Sequence, residues 1–182
     1  MSDFLPKEYE VPQKAGSYMK FMDGENRFRI LASPIIGWET WKDLPDGSRK
    51  PIRTPMDKPF NVTEVEGGSP ENIKHFWAMP VWNYQEEKVQ ILEITQKGIQ
   101  KSLRALAKDE DWGSPLGYDI VVTRSGQKLE TEYQVQPKPA KTLPSAIVEA
   151  YRAMTIDLTA LYRSEDPFAE KIDVDEIAEA LK

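Results

Sequence analysis

The apolar period of this chain changes once and then changes back, and that switch limits the folds open to it. From Gln96 onward Ile99, Leu103, Leu106 and Ala107 recur at spacings of three and four, with Lys97, Lys101, Arg104 and Lys108 on the other side. This predicts an amphipathic helix of about three turns. On both sides of it the period is two, that of strands with one buried face. Upstream, Phe28, Ile30 and Ala32 alternate with Arg27, Arg29 and Leu31, and Gly37 permits a bend before Trp38, Thr40 and Trp41 extend the run. Asp46-Gly47 is a hairpin turn signal, and Pro51-Ile52-Arg53 supplies a return strand. After a long loop from 55 to 72, KHFWAMPVWNY and VQILEIT flank the turn QEEK as a second hairpin. Pro80 has no N–H for a ladder, so a bulge or a sheet edge is expected there. Beyond the helix, which Gly113, Pro115 and Gly117 end, YDIVVTR and LETEYQV flank SGQK, with Leu129, Thr131, Tyr133 and Val135 on one parity.

Strand, return strand, strand, strand, helix, strand, strand is the element order of an oligonucleotide/oligosaccharide-binding (OB) barrel, whose helix plugs one end between the third and fourth barrel strands. SH3-type barrels lack that helix, and split β-α-β folds need a second one inside the sheet. The expectation is a mainly β protein with a five-stranded OB-fold barrel over residues 21–141. Around it the sequence predicts a flexible N-terminal arm over 1–20, with Pro6 and Pro12, and a C-terminal helix over 142–163. The helix rests on Ile147, Tyr151, Met154, Leu158 and Leu161 behind Ser145. An acidic tail spans 164–182, where Asp173 and Glu176 have capping-box spacing and Val174, Ile177, Ala178 and Leu181 form an apolar stripe.

A chain of 182 residues with a net charge of −6 argues at face value against a nucleic-acid binder. The charge is not evenly spread. Residues 1–141 carry 20 basic and 21 acidic groups, and residues 142–182 carry 4 and 9. The core is nearly neutral and the excess acidity belongs to the C-terminal fifth. With no cysteine and the single histidine His75, thiolate and polyhistidine zinc sites are excluded. His75 reads as a structural residue of a strand. No phosphate-loop, nucleophile-elbow or triad signature occurs, so no enzyme, cofactor or metal is expected. The N-terminus MSDFLPKEYE has no apolar signal core, and no run approaches a membrane span, so a cytoplasmic location without a membrane partner is expected.

The stretch from Gly16 to Lys141, in the blocks GENRFRIL, GWETW, KHFWAMPVWNY, QILEITQKGIQKSL, WGSPLGYDIVVTRSG and TEYQVQPKP, resembles the single-stranded DNA-binding proteins of tailed bacteriophages and prophages. The resemblance implies an OB-fold core, sequence-tolerant binding of single-stranded DNA, and an acidic C-terminal tail that contacts replication or recombination proteins. It also implies a bacterial host cytoplasm if the chain is phage-encoded, and a homo-oligomer or cooperative assembly on DNA. The T4-type helix-destabilising protein carries a Cys/His zinc module, so a chain without cysteine would be a zinc-free relative.

Single strands are held by cationic grooves that follow the backbone and by aromatic faces on which bases stack. The candidate DNA-binding residues follow from that chemistry. Trp38, Trp41 and Lys42 lie on the first strand's extension, with Arg49, Lys50 and Arg53 across the hairpin. Lys74, Phe76, Trp82 and Tyr84 share one parity of the next strand, while His75, Trp77, Met79 and Val81 are assigned to the interior. Arg27 and Arg29 occupy the polar face of the first strand, and Arg124 and Lys128 flank SGQK. Trp112 reads as a cap over the helix end, and Tyr118 and Tyr133 stay open between core and surface. In the tail, Glu165, Asp166, Phe168, Asp173, Asp175 and Glu176 are the candidate partner contacts. The expected function is coating of single-stranded DNA in phage replication, recombination or repair, without base-edge readout. The alternatives are a non-catalytic β-barrel protein-interaction or virion-assembly module, and an OB-fold that binds RNA.

Overall fold

The computed structural model describes residues 16–168. Seven strands alternate in direction along the sheet: β1 (Gly24–Ile30), β2 (Ile35–Asp43), β3 (Arg49–Pro55), β4 (Lys74–Asn83), β5 (Lys88–Ile94), β6 (Ile120–Ser125) and β7 (Glu132–Pro137). Among the described residues two helices accompany the sheet, α1 (Lys97–Lys108) between β5 and β6 and α2 (Ser145–Arg152) after β7. The sheet order is β3-β2-β4-β1-β6-β7, all antiparallel, and β5 pairs with the other side of β4. The protein is therefore mainly β, as expected, but a five-stranded closed barrel is not what forms. Two extra strands are present, and β5 and β7 do not pair.

Both differences have local causes. The first strand is interrupted at 31–34, where Ser33-Pro34 cannot continue a ladder. Its two halves become β1 and β2, which line up along one side of β4, Ile35–Glu39 against Lys74–Ala78 and Phe28–Ile30 against Val81–Asn83. Pro80 falls opposite that interruption. Its carbonyl accepts from Leu31 N at 2.9 Å, and since N and O of a strand residue face the same neighbour, its missing N–H points at the gap. Hence the expected bulge is absent and β4 pairs with β5 without a break from Trp77 to Asn83. At the free side of β5, Ile91 N donates to Ser17 O at 2.9 Å and Met19 N donates to Ile91 O at 2.9 Å. Residues 17–19 take the backbone groups that a closing strand would need. They are not part of a free arm, and Met19 is buried in the core.

The inner face of the curled sheet holds the main core. Phe28, Ile30, Met79, Val81, Leu92, Ile94, Ile120 and Val122 meet Ile99 and Leu103 of α1, with Trp77, Tyr133 and Val135 at its margin. Tyr118 is buried there, and Trp112 packs edge-on against it at 5.5 Å. The alternation predicted for β4 holds, since Trp77, Met79 and Val81 all face this core. Leu129 departs from its predicted parity and is fully exposed.

The outer face is covered too. Phe76, Ala78 and Ile91 form a second cluster with Leu161, against which Ile35, Ile156, Tyr162 and Phe168 pack. The C-terminal helix predicted over 142–163 is two pieces. Helix α2 ends at Arg152, and after an irregular stretch a 3-10 segment runs from Leu158 to Arg163. Asp157 caps it by accepting from Thr159 N at 3.1 Å. Splitting the helix sets Leu161 into the second cluster, a burial of about 1.5–3 kcal/mol that outweighs the propensity of the broken turn. The start of the predicted acidic tail, Glu165–Phe168, is likewise part of the fold, with Pro167 buried. Asp173, Asp175 and Glu176 lie outside the described residues.

Candidate nucleic-acid interface

The candidate cations divide into those held inside and those left outside. Arg27 and Arg29 on the outer face of β1 converge on Asp119, whose side chain is wholly buried just before β6. Arg27 reaches Oδ2 with Nε at 3.0 Å and Nη2 at 2.8 Å, and Arg29 Nε reaches Oδ1 at 2.9 Å. Lys141 Nζ lies 3.2 Å from Oδ2 and the Tyr84 hydroxyl donates to Oδ1 at 2.9 Å. Burial works to raise the Asp119 pKa, but the hydrogen bonds from Arg27, Arg29, Tyr84 and Lys141 outweigh it and hold the carboxyl below its usual range. Burial, with the adjacent Asp119, pushes the Tyr84 hydroxyl up to about 12. Arg27 and Lys141 also lie over the Tyr84 ring, at 5.4 and 5.6 Å. Arg29 is buried, and its remaining donors meet the carbonyls of Leu116 and Lys141.

Arg53 is also an inside residue. Its Nε donates to Glu39 at 2.9 Å and its Nη2 to Glu93, beneath the Phe76 ring. Two carboxylates thus share one guanidinium in a buried place. Burial first, and then the hydrogen bond and charge of Glu93, push Glu39 up to about 8, against the pull of Arg53. Phe76 itself is fully buried in the second cluster. Of the sequence candidates, Phe76, Arg29 and Arg53 are corrected to structural roles, because none offers a face or a charge to an external strand. For Phe76 the reason is the C-terminal segment, which turns the outer face of β4 into a second core, whereas Arg29 is held by Asp119 and Arg53 by Glu39 and Glu93. Trp82 is half-buried on that face opposite Arg29.

The hairpin β2–β3 leaves its charges outside. Asp46-Gly47 makes the turn, Gly47 with φ of +86° and its N donating to Leu44 O at 3.0 Å. Near the tip one face carries Trp41, 42% exposed, with the Arg49 guanidinium 5.9 Å from its ring and paired with Asp43 at 3.0 Å. The other face carries Lys42 directly across from Lys50. Like charges opposite one another destabilise a ladder, and among the described residues neither lysine has an acidic partner. At the base, Gly37 has no room for a Cβ, which would stand 2.0 Å from Thr54 O and 3.1 Å from Phe76 Cε1. That contact seats the ribbon on the body.

Two open grooves run from this ribbon. One of about 520 Å³ is lined by Trp41, Arg49 and Lys74 together with the carboxylates of Glu39, Asp43, Glu66 and Glu71, and one of about 780 Å³ by Trp38, Lys74, His75 and Lys97 with Glu71. Lys74 and Glu71 border both. Trp38 lies tilted against His75 at 5.3 Å and donates to Met56 O at 3.1 Å. His75 Nδ1 is 2.8 Å from Gly37 O while Nε2 accepts from Trp77 Nε1 at 3.2 Å, so the neutral ring protonated at Nδ1 satisfies both contacts. This is the structural histidine expected. Arg124 and Lys128 stand apart, Arg124 near the end of β6 and Lys128 in the turn between β6 and β7. Arg124 donates to Phe21 O at 3.1 Å, and Lys128 is exposed with φ of +52°. The structure therefore brings Trp38, Trp41, Arg49 and Lys74 to the two grooves, while Lys42 and Lys50 line neither of them and Lys50 borders a separate pocket with Glu165 and Asp166. Lys97 on the Trp38 groove was missed in the sequence, where it reads as one of four solvated helix cations. Lys141 was missed because nothing local ties it to Asp119.

Among the described residues no group of three His, Cys, Asp or Glu side chains converges on a metal position, and no helix is long and apolar enough to cross a membrane. Comparison of the chain with models of protein families, with curated proteins and with solved structures returns no match.

Proposed function

We propose that this protein binds single-stranded DNA, without base-edge readout, along the β2–β3 ribbon and the two grooves at its base. The observation that carries the reading is the ribbon tip, where an exposed Trp41 with Arg49 on its ring backs onto an unneutralised Lys42–Lys50 pair. Stacking on aromatic faces supplies about 1–3 kcal/mol per base and lysines neutralise the phosphates. The connectivity supports it. β1, β4, β5, β6 and β7, with α1 between the third and fourth of them, keep the strand neighbours of an OB fold apart from the closing pair. The ribbon then stands in the loop between the first and second strands, and Ser125–Thr131 is the loop between the fourth and fifth. Those are the two loops with which OB folds grip oligonucleotides. The role proposed is the coating of exposed strands during replication, recombination or repair.

The test is a titration of the intrinsic Trp fluorescence with oligo-dT, duplex DNA and oligo-U at low and moderate salt. Quenching by oligo-dT that weakens steeply with salt and is much smaller with duplex supports the reading. Equal or stronger quenching by oligo-U transfers the surface to RNA, and no response at low salt rejects a nucleic-acid role.

A further inference from the structure

Helix α1 has a second surface, which shares only Lys97 with the DNA-binding reading. Lys97, Lys101, Arg104 and Lys108 follow one another at spacings of four, three and four, so they lie along one stripe of the helix. All four are exposed, and among the described residues none has an acidic partner. Beside the stripe, where α1 faces the start of the β1–β2 interruption, a cavity of about 250 Å³ opens between Pro34, Trp77, Leu103, Arg104, Ala107 and Leu116. Its walls are carbon almost throughout, and Leu116 on its rim is 41% exposed. A nucleobase placed there would lose the hydrogen bonds of its polar edge, whereas an aliphatic side chain loses none. The surface calls for an acidic amphipathic segment with aliphatic anchors, the helix-in-groove type of partner.

The chain contains such a segment. Residues 169–182 hold five acidic groups and two basic ones, and Val174, Ile177, Ala178 and Leu181 fall on a single helical face. They follow directly on Phe168, which packs against the same cluster as Ile35, the neighbour of the cavity residue Pro34. The six residues from Phe168 to Val174 can span about 20 Å. We infer that the C-terminal segment 169–182 docks on its own chain at α1, placing aliphatic side chains in the Trp77–Leu116 cavity and carboxylates on the Lys97–Lys108 stripe. The docking leaves the β2–β3 ribbon uncovered, meets the Trp38 groove only at Lys97, and holds whether or not the ribbon binds DNA.

The absence of native cysteine makes the test direct. In the full-length chain Ala107→Cys and Ala178→Cys, joined by a short bismaleimide, should cross-link within one molecule at least about tenfold faster than a control pair of Ser125→Cys with Ala178→Cys, the excess that a high effective concentration gives. Adding Lys101→Glu and Lys108→Glu, both exposed and neither lining the cavity, should remove that excess without changing the circular dichroism, and raised salt should reduce it. Three results overturn the inference: a rate equal to the control pair, product only at the mass of a dimer, or a yield indifferent to the two charge reversals.

Discussion

The two buried ionic clusters on the outer side of the sheet are built with opposite stoichiometry. Around Asp119 three cations and a hydroxyl serve one carboxylate, and around Arg53 two carboxylates serve one cation. In the first the carboxyl is held below its ordinary pKa, and in the second Glu39 is pushed above it. The lesson is that burial alone fixes neither the charge nor the sign of the pH dependence; the number of donors facing each carboxylate does. Asp119 locks β1, the start of β6 and the segment at Lys141 together as an ionised pivot. Glu39 ties β2 to β3 and β5 as a group that keeps a proton over much of the neutral range.

The largest effect that tests this contrast is Asp119→Asn. It leaves Arg29 charged and buried without its counter-ion, which costs about 3–5 kcal/mol. A urea unfolding curve should show the midpoint falling with little change in slope, and a loss under about 1 kcal/mol would mean that Asp119 is not the pivot. The equivalent change in the other cluster, Glu39→Gln, should cost less than about 1 kcal/mol at pH 8, because it replaces a carboxyl that is already half protonated by a neutral group of the same shape.

The pH profiles separate the clusters further. Asp119 has a lowered folded pKa, so its stabilisation is present above its unfolded value and disappears as pH falls through the folded one. Glu39 has a raised folded pKa, so its contribution is complete below its unfolded value near 4.5 and is lost as pH rises toward about 8. Stability should therefore decline both on the acid side of 4 and between about 5 and 8. Glu39→Gln should flatten the second decline and leave the first in place. Melting curves from pH 3 to 9 check this, and an unchanged slope between 5 and 8 in the variant would assign that decline to another group.

How far this was legible in the sequence can be argued from the same residues. Strand alternation and the change of period at Gln96 located six strand runs and α1, because both signals arise from neighbours in sequence. The break after Ile30 was hidden because Phe28 to Trp41 reads as one run with a bend at Gly37 until Pro80, 46 residues on from Pro34, is placed opposite the interruption. The split of the C-terminal helix was hidden for a similar reason. Its apolar spacing continues through Leu158 and Leu161, and only the outer face of β4 decides that Leu161 turns to meet Phe76. For the site, composition distinguished cations and aromatics from the rest but could not say which arginine is already spent. Arg27, Arg29 and Arg53 read like Arg49 until Asp119, Glu39 and Glu93 are brought beside them from elsewhere in the chain.

That division between spent and free cations sets the smaller effects. Trp41→Ala removes an exposed ring from the ribbon tip, so it should weaken oligo-dT binding by about 1–3 kcal/mol while shifting stability by no more than about 0.5 kcal/mol. Asp119→Asn, measured at a temperature where it stays folded, should do the reverse and leave affinity unchanged. If Asp119→Asn weakens binding while folded, the Arg27–Lys141–Tyr84 surface belongs to the DNA path and the ribbon is only part of it.

The smallest effect is also the most diagnostic of charge. Lys42 and Lys50 repel each other across the ladder, so replacing either by Gln should leave the protein as stable or slightly more so, by a few tenths of a kcal/mol. Each replacement should nevertheless reduce the slope of log affinity against log salt by about 1, because one phosphate contact and its released counterion are lost. Lys138→Gln, on the far side of the sheet beyond β7, should do neither. A salt slope that stays constant in both ribbon variants would mean that the lysine pair meets no phosphate, and the repulsion between them would then stand as an uncompensated cost of the hairpin.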